Sequence, residues 1–344
     1  MISQTKNLLR VLNNEKTDHI PFWFMRQAGR YLPEYKALRS QSKSFLDFCY
    51  NPEMASVATL QPIRRFGMDG AIIFSDILVI PHALGMHVWF EEGKGPLLTP
   101  IHTQAELAKL SITALDEKLS PVYEALKLTR AALPQETTLI GFAGAAWTLA
   151  CYMIEGKGSR DFQTPRALAL REPEFFAKLL ALLVESVSRH AINQIKAGAE
   201  VIQIFDSWSG VLSEPQFKAW VIEPTKKIVA NIKAEFPDVP VIGFPRLAGT
   251  KYYSYAKDTG VDAVNIDGSV TLKMAAEKLS SLCVIQGNLD PLVLVEDKNM
   301  MLAQAKEIIS TLGHKPFVFN LGHGILPHTP IEHVEALCDL LRQK

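Results

Sequence analysis

Several features are scarce in this sequence, and each scarcity excludes a class of protein. Four cysteines occur in 344 residues (Cys49, Cys151, Cys283 and Cys338), and no two stand at C-x-x-C spacing. A disulfide frame or a zinc knuckle is therefore not expected, and the thiols read as reduced ones in a cytoplasmic protein. Neither sign of charge is in surplus, with 36 Lys and Arg against 36 Asp and Glu. Nucleic acid or an anionic membrane surface needs a large positive field, so neither is an expected partner. Any anionic ligand must instead be met by a local cluster of cations. No apolar run approaches the roughly 18 residues of a membrane span. The longest, around residues 179–184, is stopped by Lys178 and Glu185. The N-terminal MISQTKN has neither the apolar core of a signal peptide nor an Arg/Ser-rich presequence. No G-x-G-x-x-G follows the first apolar run and no Walker-type loop occurs. The nine histidines include no H-x-x-x-H with a third ligand at helical spacing. The expectation is a site without metal or organic cofactor.

What is present is repetition. At 48% hydrophobic residues the chain can build a sizeable core. Eight short apolar, β-branched or aromatic runs, at residues 20–24, 71–74, 138–143, 201–205, 239–244, 263–266, 282–286 and 316–320, read as buried strands. Between them lie helical patterns at 52–66, 172–196, 213–236, 272–279, 299–312 and 330–342. Thr329 and Pro330 resemble an N-cap followed by proline in the first turn. Eightfold alternation without clustered hairpins predicts parallel strands, and a count of eight predicts an α/β fold of the closed (β/α)8 TIM type, one domain spanning residues 1–344.

That fold carries its chemistry just after each strand, where the βα loops gather. The unusual residues fall there: Arg26 and Arg30 after the first run, Asp76 after the second, Trp147 and Tyr152 after the third. Asp206, Ser207 and Trp208 follow the fourth, Arg246 the fifth, Asp267 the sixth, Asn288 and Asp290 the seventh, and His323 the eighth. Arg26 and Arg30 offer two rigid forks for carboxylate or phosphate, four residues apart across Gly29. Asp76 sits among apolar neighbours, where it could serve as a base, a metal ligand or a fixed acceptor for N–H donors. Tyr152 can donate to an anion. Ser207 lacks a G-x-S-x-G elbow, so a hydrogen-bond role suits it better than that of a nucleophile. His323, between Gly322 and Gly324, is laid open by its neighbours' lack of side chains.

Seven segments together carry a resemblance: PFWFMRQAGRYLPEY (21–35), FSDIL (74–78), GFAGAAWTL (141–149), YMIEG (152–156), QIFDSW (203–208), QGNLDP (286–291) and FNLGHGI (319–325). They are similar, in order and over almost the whole chain, to the uroporphyrinogen decarboxylase family. Two segments depart from that pattern: Gly268 stands where a Trp is usual, and Ala143 and Ala146 stand where Ser and Pro are common. Neither departure touches a charged position. The resemblance implies a single TIM barrel, a homodimer, and conversion of uroporphyrinogen to coproporphyrinogen by four acetate decarboxylations without a cofactor. It implies Asp76 as acceptor for converging pyrrole N–H groups and Arg26 and Arg30 as carboxylate binders. Tyr152, Ser207 and His323 would surround them, with Gln27, Ala28 and Phe205 against the macrocycle. Asp76, Arg30 and Arg26 are the expected catalytic residues, and the proton donor stays open between Arg30, Arg26 and a water they hold. Two alternatives remain. A zinc-dependent corrinoid or thiol methyltransferase of the same superfamily would need a His/Cys ligand set at strand ends. A non-catalytic tetrapyrrole carrier would not need Asp76 ionised.

Overall fold

The computed structural model describes residues 6–91 and 93–343. Nine strands are assigned among them: β1 (Gly70–Ile72), β2 (Val88–Glu91), β3 (Gly95–Leu98), β4 (Thr138–Gly144), β5 (Val201–Asp206), β6 (Val241–Pro245), β7 (Ala263–Asn265), β8 (Val284–Leu289) and β9 (Phe317–Leu321). Seven of them form one all-parallel sheet in the order β1-β4-β5-β6-β7-β8-β9, each pairing with the next parallel strand in the chain. Their residues are almost all buried, as strands covered on both faces require. The fold is of the TIM-barrel type, with the helices outside.

The first expected strand is the exception. Residues 20–24 form no ladder; Phe22 makes a single parallel bridge to Phe319 of β9. Trp23 N donates to Phe319 O at 3.3 Å and Phe319 N donates to Pro21 O at 2.9 Å. Pro21 has no N–H to offer, and the chain turns at Arg26, whose φ of 58° ends any extended run. Towards β1 the seam is bridged largely by side chains. Asp69 N donates to Phe22 O (3.0 Å), while Phe22 N donates back to Asp69 Oδ2 (3.0 Å). Higher up, Gln27 Nε2 donates to Gly70 O (3.2 Å) and Gln27 Oε1 accepts from Ile72 N (2.8 Å). Gln27 thus presents to the free edge of β1 one acceptor and one donor, as a neighbouring strand would.

The barrel interior is filled. Trp23 Nε1 donates to Gln286 Oε1 (2.9 Å), and Gln286 Nε2 donates to both Gln203 Oε1 (3.0 Å) and Asn265 Oδ1 (2.9 Å). All four side chains are buried. This satisfied polar layer ties residues 21–25 to β5, β7 and β8 and forms the floor beneath the strand exits.

Two other expectations change in detail. The antiparallel hairpin β2–β3 was not anticipated; it turns through Gly93 and Gly95, both at positive φ. The pattern at 213–236 is one rod interrupted: helix Glu214–Phe217, a π turn at Lys218–Ile222, then helix Glu223–Glu235. Pro224 has no N–H for the ladder and its ring crowds the carbonyl four residues back, which widens the turn. At the last helix, Ile331–Arg342, Pro330 rather than Thr329 takes the N-cap position. No helix among the described residues is long and apolar enough to cross a membrane.

Candidate active site

The side chains expected to act together emerge at one end of the sheet. Arg26 opens the loop after residues 21–25, and its main chain is clamped to the β9 side of the mouth. Met25 N donates to Asn320 Oδ1 (3.2 Å), and Ile325 N donates to Met25 O (2.9 Å). Arg26 holds a left-handed backbone that is uncommon for a residue with a β-carbon, an arrangement that persists where surrounding contacts impose it. Its side chain lies along Gly324, where a β-carbon would stand 2.5 Å from Arg26 Cδ and 2.6 Å from Cγ. Gly324 is therefore the groove in which Arg26 runs.

Asp76 leaves β1 half-buried, its Oδ1 accepting from Leu78 N at 2.8 Å. Burial raises its pKa, against the pull of the Leu78 N–H and the Arg26 charge. No ion pair joins Asp76 to any cation among the described residues. It is a carboxylate short of partners at the exit of β1. Arg26 shows the reverse balance. Burial lowers its pKa, Asp76 and Tyr152 work against that, and Arg30 and Arg246 reinforce it. Tyr152, on helix Ala146–Glu155, is pushed up to about 12 by burial and by the charge of Asp76. It remains a phenol able to donate. His323 is driven down to about 3 by burial and by the charges of Arg246 and Arg26. Its imidazole is neutral at working pH, with one donor and one acceptor.

Arg26 thus lies within reach of the charges of Asp76, Tyr152 and Arg246, and His323 within reach of Arg26 and Arg246. Arg30 is exposed beside Arg26, and Ala28 is half-buried between them. Phe205 lies edge-to-face between Phe142 (5.7 Å) and Phe244 (6.2 Å), an aromatic row across β4, β5 and β6. Ser207 follows half-buried, its hydroxyl making no hydrogen bond among the described residues. Gln27 stands apart. Its side chain is buried, its amide is spent on β1 and Met68, and its carbonyl accepts from Tyr31 Oη at 2.8 Å.

Two carboxylates support this group from below. Asp206 is buried, accepts from Thr148 Oγ1 at 2.6 Å, and is raised to about 7 by burial. Thr148 in turn accepts from Trp208 N (3.3 Å), and the Trp208 ring meets Tyr152 edge-on at 6.0 Å. Asp267 accepts from Leu247 N, Tyr252 Oη and the Ser269 main chain, which pins the loop carrying Arg246. Both acids were visible as strand-exit residues, but nothing in the sequence marked them as buried supports. Among the described residues no group of three or more His, Cys, Asp or Glu is placed to hold a metal ion. Cys283, before β8, is raised to about 12 by burial and is no ready thiolate ligand.

Arginines and an underpaired carboxylate gathered at the strand exits of a TIM-type fold mark the class: an enzyme of the TIM-barrel type. A sequence model of the uroporphyrinogen decarboxylase (URO-D) family matches residues 3–344. A protein of Rhodospirillum rubrum named uroporphyrinogen decarboxylase is 49% identical over 337 residues, covering 98% of this chain and 97% of the relative. One of the same name from Mesorhizobium japonicum is 50% identical over 339 residues, covering 98% of each. Among solved structures, a methyltransferase from Methanosarcina mazei superposes with a TM-score of 0.82 over 97% of each chain, at 19% identity, a likeness of fold alone. The chain belongs to the uroporphyrinogen decarboxylase family.

Proposed function

We propose that this chain converts uroporphyrinogen III to coproporphyrinogen III by removing CO2 from four acetate side chains, with its own side chains and no metal or organic cofactor. The observation that carries the reading is the charge pattern at the strand exits: Asp76, whose carboxylate accepts only from Leu78 N, beside Arg26, Arg30 and Arg246, none of which makes an ion pair among the described residues. A reduced tetrapyrrole is the complementary object, with N–H donors converging at its centre and carboxylates around its rim. Asp76 accepts the central N–H groups, Arg26 and Arg30 hold rim carboxylates, and Tyr152, Ser207 and His323 supply further polar contacts. Ala28 and Phe205 face the macrocycle. The support for a homodimer with facing clefts lies in Leu247 and Tyr253, large apolar residues exposed at 51% and 42% on the strand-exit side.

The chemistry follows from where electrons go when CO2 leaves. A proton added to the ring carbon adjacent to the one bearing the acetate makes a cationic ring. The bond from the acetate methylene to its carboxylate then breaks, CO2 leaves, and the electron pair forms an exocyclic C=CH2 bond that neutralises that cation. A second proton at the exocyclic carbon completes the methyl group, and loss of the first proton from the ring carbon restores the pyrrole. Ionised Asp76 stabilises the cationic stage more than the neutral substrate, which is the condition for acceleration. The first proton comes from Arg30, Arg26 or a water they hold.

Anaerobic incubation with uroporphyrinogen, followed by oxidation and chromatography, should yield porphyrins with seven to four carboxylates, ending at four. Recovery of the eight-carboxylate species alone would overturn the reading. Turnover should survive exhaustive chelation, and a loss restored by zinc would refute the cofactor-free mechanism. Gly324→Ala should force Arg26 out of its groove and raise KM about tenfold or more with little change in Tm. A KM equal to wild type would show that Arg26 does not need that path.

A further inference from the structure

Resting on this reading, we propose that Arg246 is a third carboxylate-binding residue, holding a rim carboxylate across the ring from those held by Arg26 and Arg30. The placement comes from the order of elements around the mouth. Beginning at residues 21–25, the sequence runs β1, β4, β5, β6, so Arg246, leaving β6, stands four positions from Arg26 and Arg30. In an arrangement of eight that is the opposite side. A macrocycle with carboxylates around its whole perimeter presents one there.

The main chain of Arg246 is fixed on every side while its side chain is left free. Arg246 N donates to Asp206 O at 3.1 Å, and Arg246 O accepts from Ser209 Oγ at 3.0 Å. The next residue, Leu247, holds φ 60° with its N–H on Asp267, and Gly210 leaves room for it, since a β-carbon there would fall 2.6 Å from Leu247 Cβ. The guanidinium itself makes no hydrogen bond or ion pair among the described residues. Arg10, Arg65, Arg130, Arg189 and Arg342, by contrast, each have a carboxylate partner. The charge of Arg246 reaches both Arg26 and His323, which follows from the shared end of the sheet at which all three leave their strands. Two guanidiniums repel unless an anion sits between or beside them, and no acid among the described residues pairs with Arg246.

The test is steady-state kinetics of Arg246→Gln and Arg246→Lys with uroporphyrinogen at two ionic strengths, alongside the wild type. Loss of one charge-assisted contact should raise KM about tenfold or more in Arg246→Gln, with kcat within about threefold of wild type. The dependence of KM on salt should weaken, and Arg246→Lys should recover part of the loss. Tm should not move, since the side chain makes no internal bond. A KM and salt dependence equal to wild type, or a fall in kcat at unchanged KM, would overturn the assignment of Arg246 alone. A wild type that leaves uroporphyrinogen intact would overturn the proposed function itself.

Discussion

Replacing Asp76 with Asn should lower kcat/KM for uroporphyrinogen by about 10²–10³-fold while the protein keeps its fold. The exchange is nearly isosteric, and the asparagine carbonyl can still accept from Leu78 N as Asp76 Oδ1 does. What disappears is the charge set against the cationic ring. The new amide also turns two donors towards the pyrrole N–H groups, which are themselves donors. Stability should move the other way. The folded-state pKa of Asp76 is raised by burial, so its ionised form opposes folding once pH exceeds that pKa. At neutral pH the Asn variant should unfold no lower, and somewhat higher, than wild type. For the wild type, the form that works is the ionised one, so turnover should fall as pH drops through the raised pKa. In Asp76→Asn the residual activity should lack that decline wherever the carboxylates of the substrate remain ionised. Near-wild-type kcat/KM in the variant would remove Asp76 from the mechanism, whatever its position in the cleft.

The strand exits were legible because a parallel barrel buries both faces of each strand, leaving apolar runs that stop abruptly at polar residues. Asp76, Tyr152, Ser207 and His323 were each marked by following such a stop, whereas Phe205, the last apolar residue of its run, was named only by the resemblance. Less legible was anything that depends on partners distant in sequence. Residues 20–24 have the composition of a strand, yet Pro21 and the turn at Arg26 leave only the bridge to Phe319. The hairpin of β2 and β3 is half-exposed, so it lacks the continuous apolar signal of the other strands. Asp206 and Asp267 stood out as strand-exit acids, but nothing in the sequence marked them as buried. Their burial, and so their support of Trp208 and the Arg246 loop, follows from contacts across 58 and 20 residues. Gln27 is the sharpest case. The resemblance implies a ligand contact for it, while its buried side chain makes hydrogen bonds that reach 43 and 45 residues away to β1.

Gln27→Leu should therefore act on stability first and on substrate binding second. Leucine fills similar volume but cannot donate to Gly70 O or accept from Ile72 N. Both groups lie in a buried seam with no other strand to pair them, and each orphaned group costs about 1–3 kcal/mol. A combined loss of about 2–6 kcal/mol should lower Tm by roughly 3–8 °C. Gln27→Glu separates the two bonds. Its carboxylate can still accept from Ile72 N, but it cannot donate to Gly70 O, and its charge is buried. Burial would raise the pKa of that glutamate, so the ionised form weakens folding above it, and the deficit in Tm should shrink as pH falls and the carboxyl regains a proton. Arg26 is the preceding residue, so a loosened seam should also raise KM in both variants. The order of effects decides what Gln27 does. If Gln27→Leu raises KM while Tm stays at the wild-type value, the side chain serves the macrocycle and not the sheet edge. A fall in Tm that Gln27→Glu partly recovers at lower pH identifies it as the side chain standing in for the missing ladder.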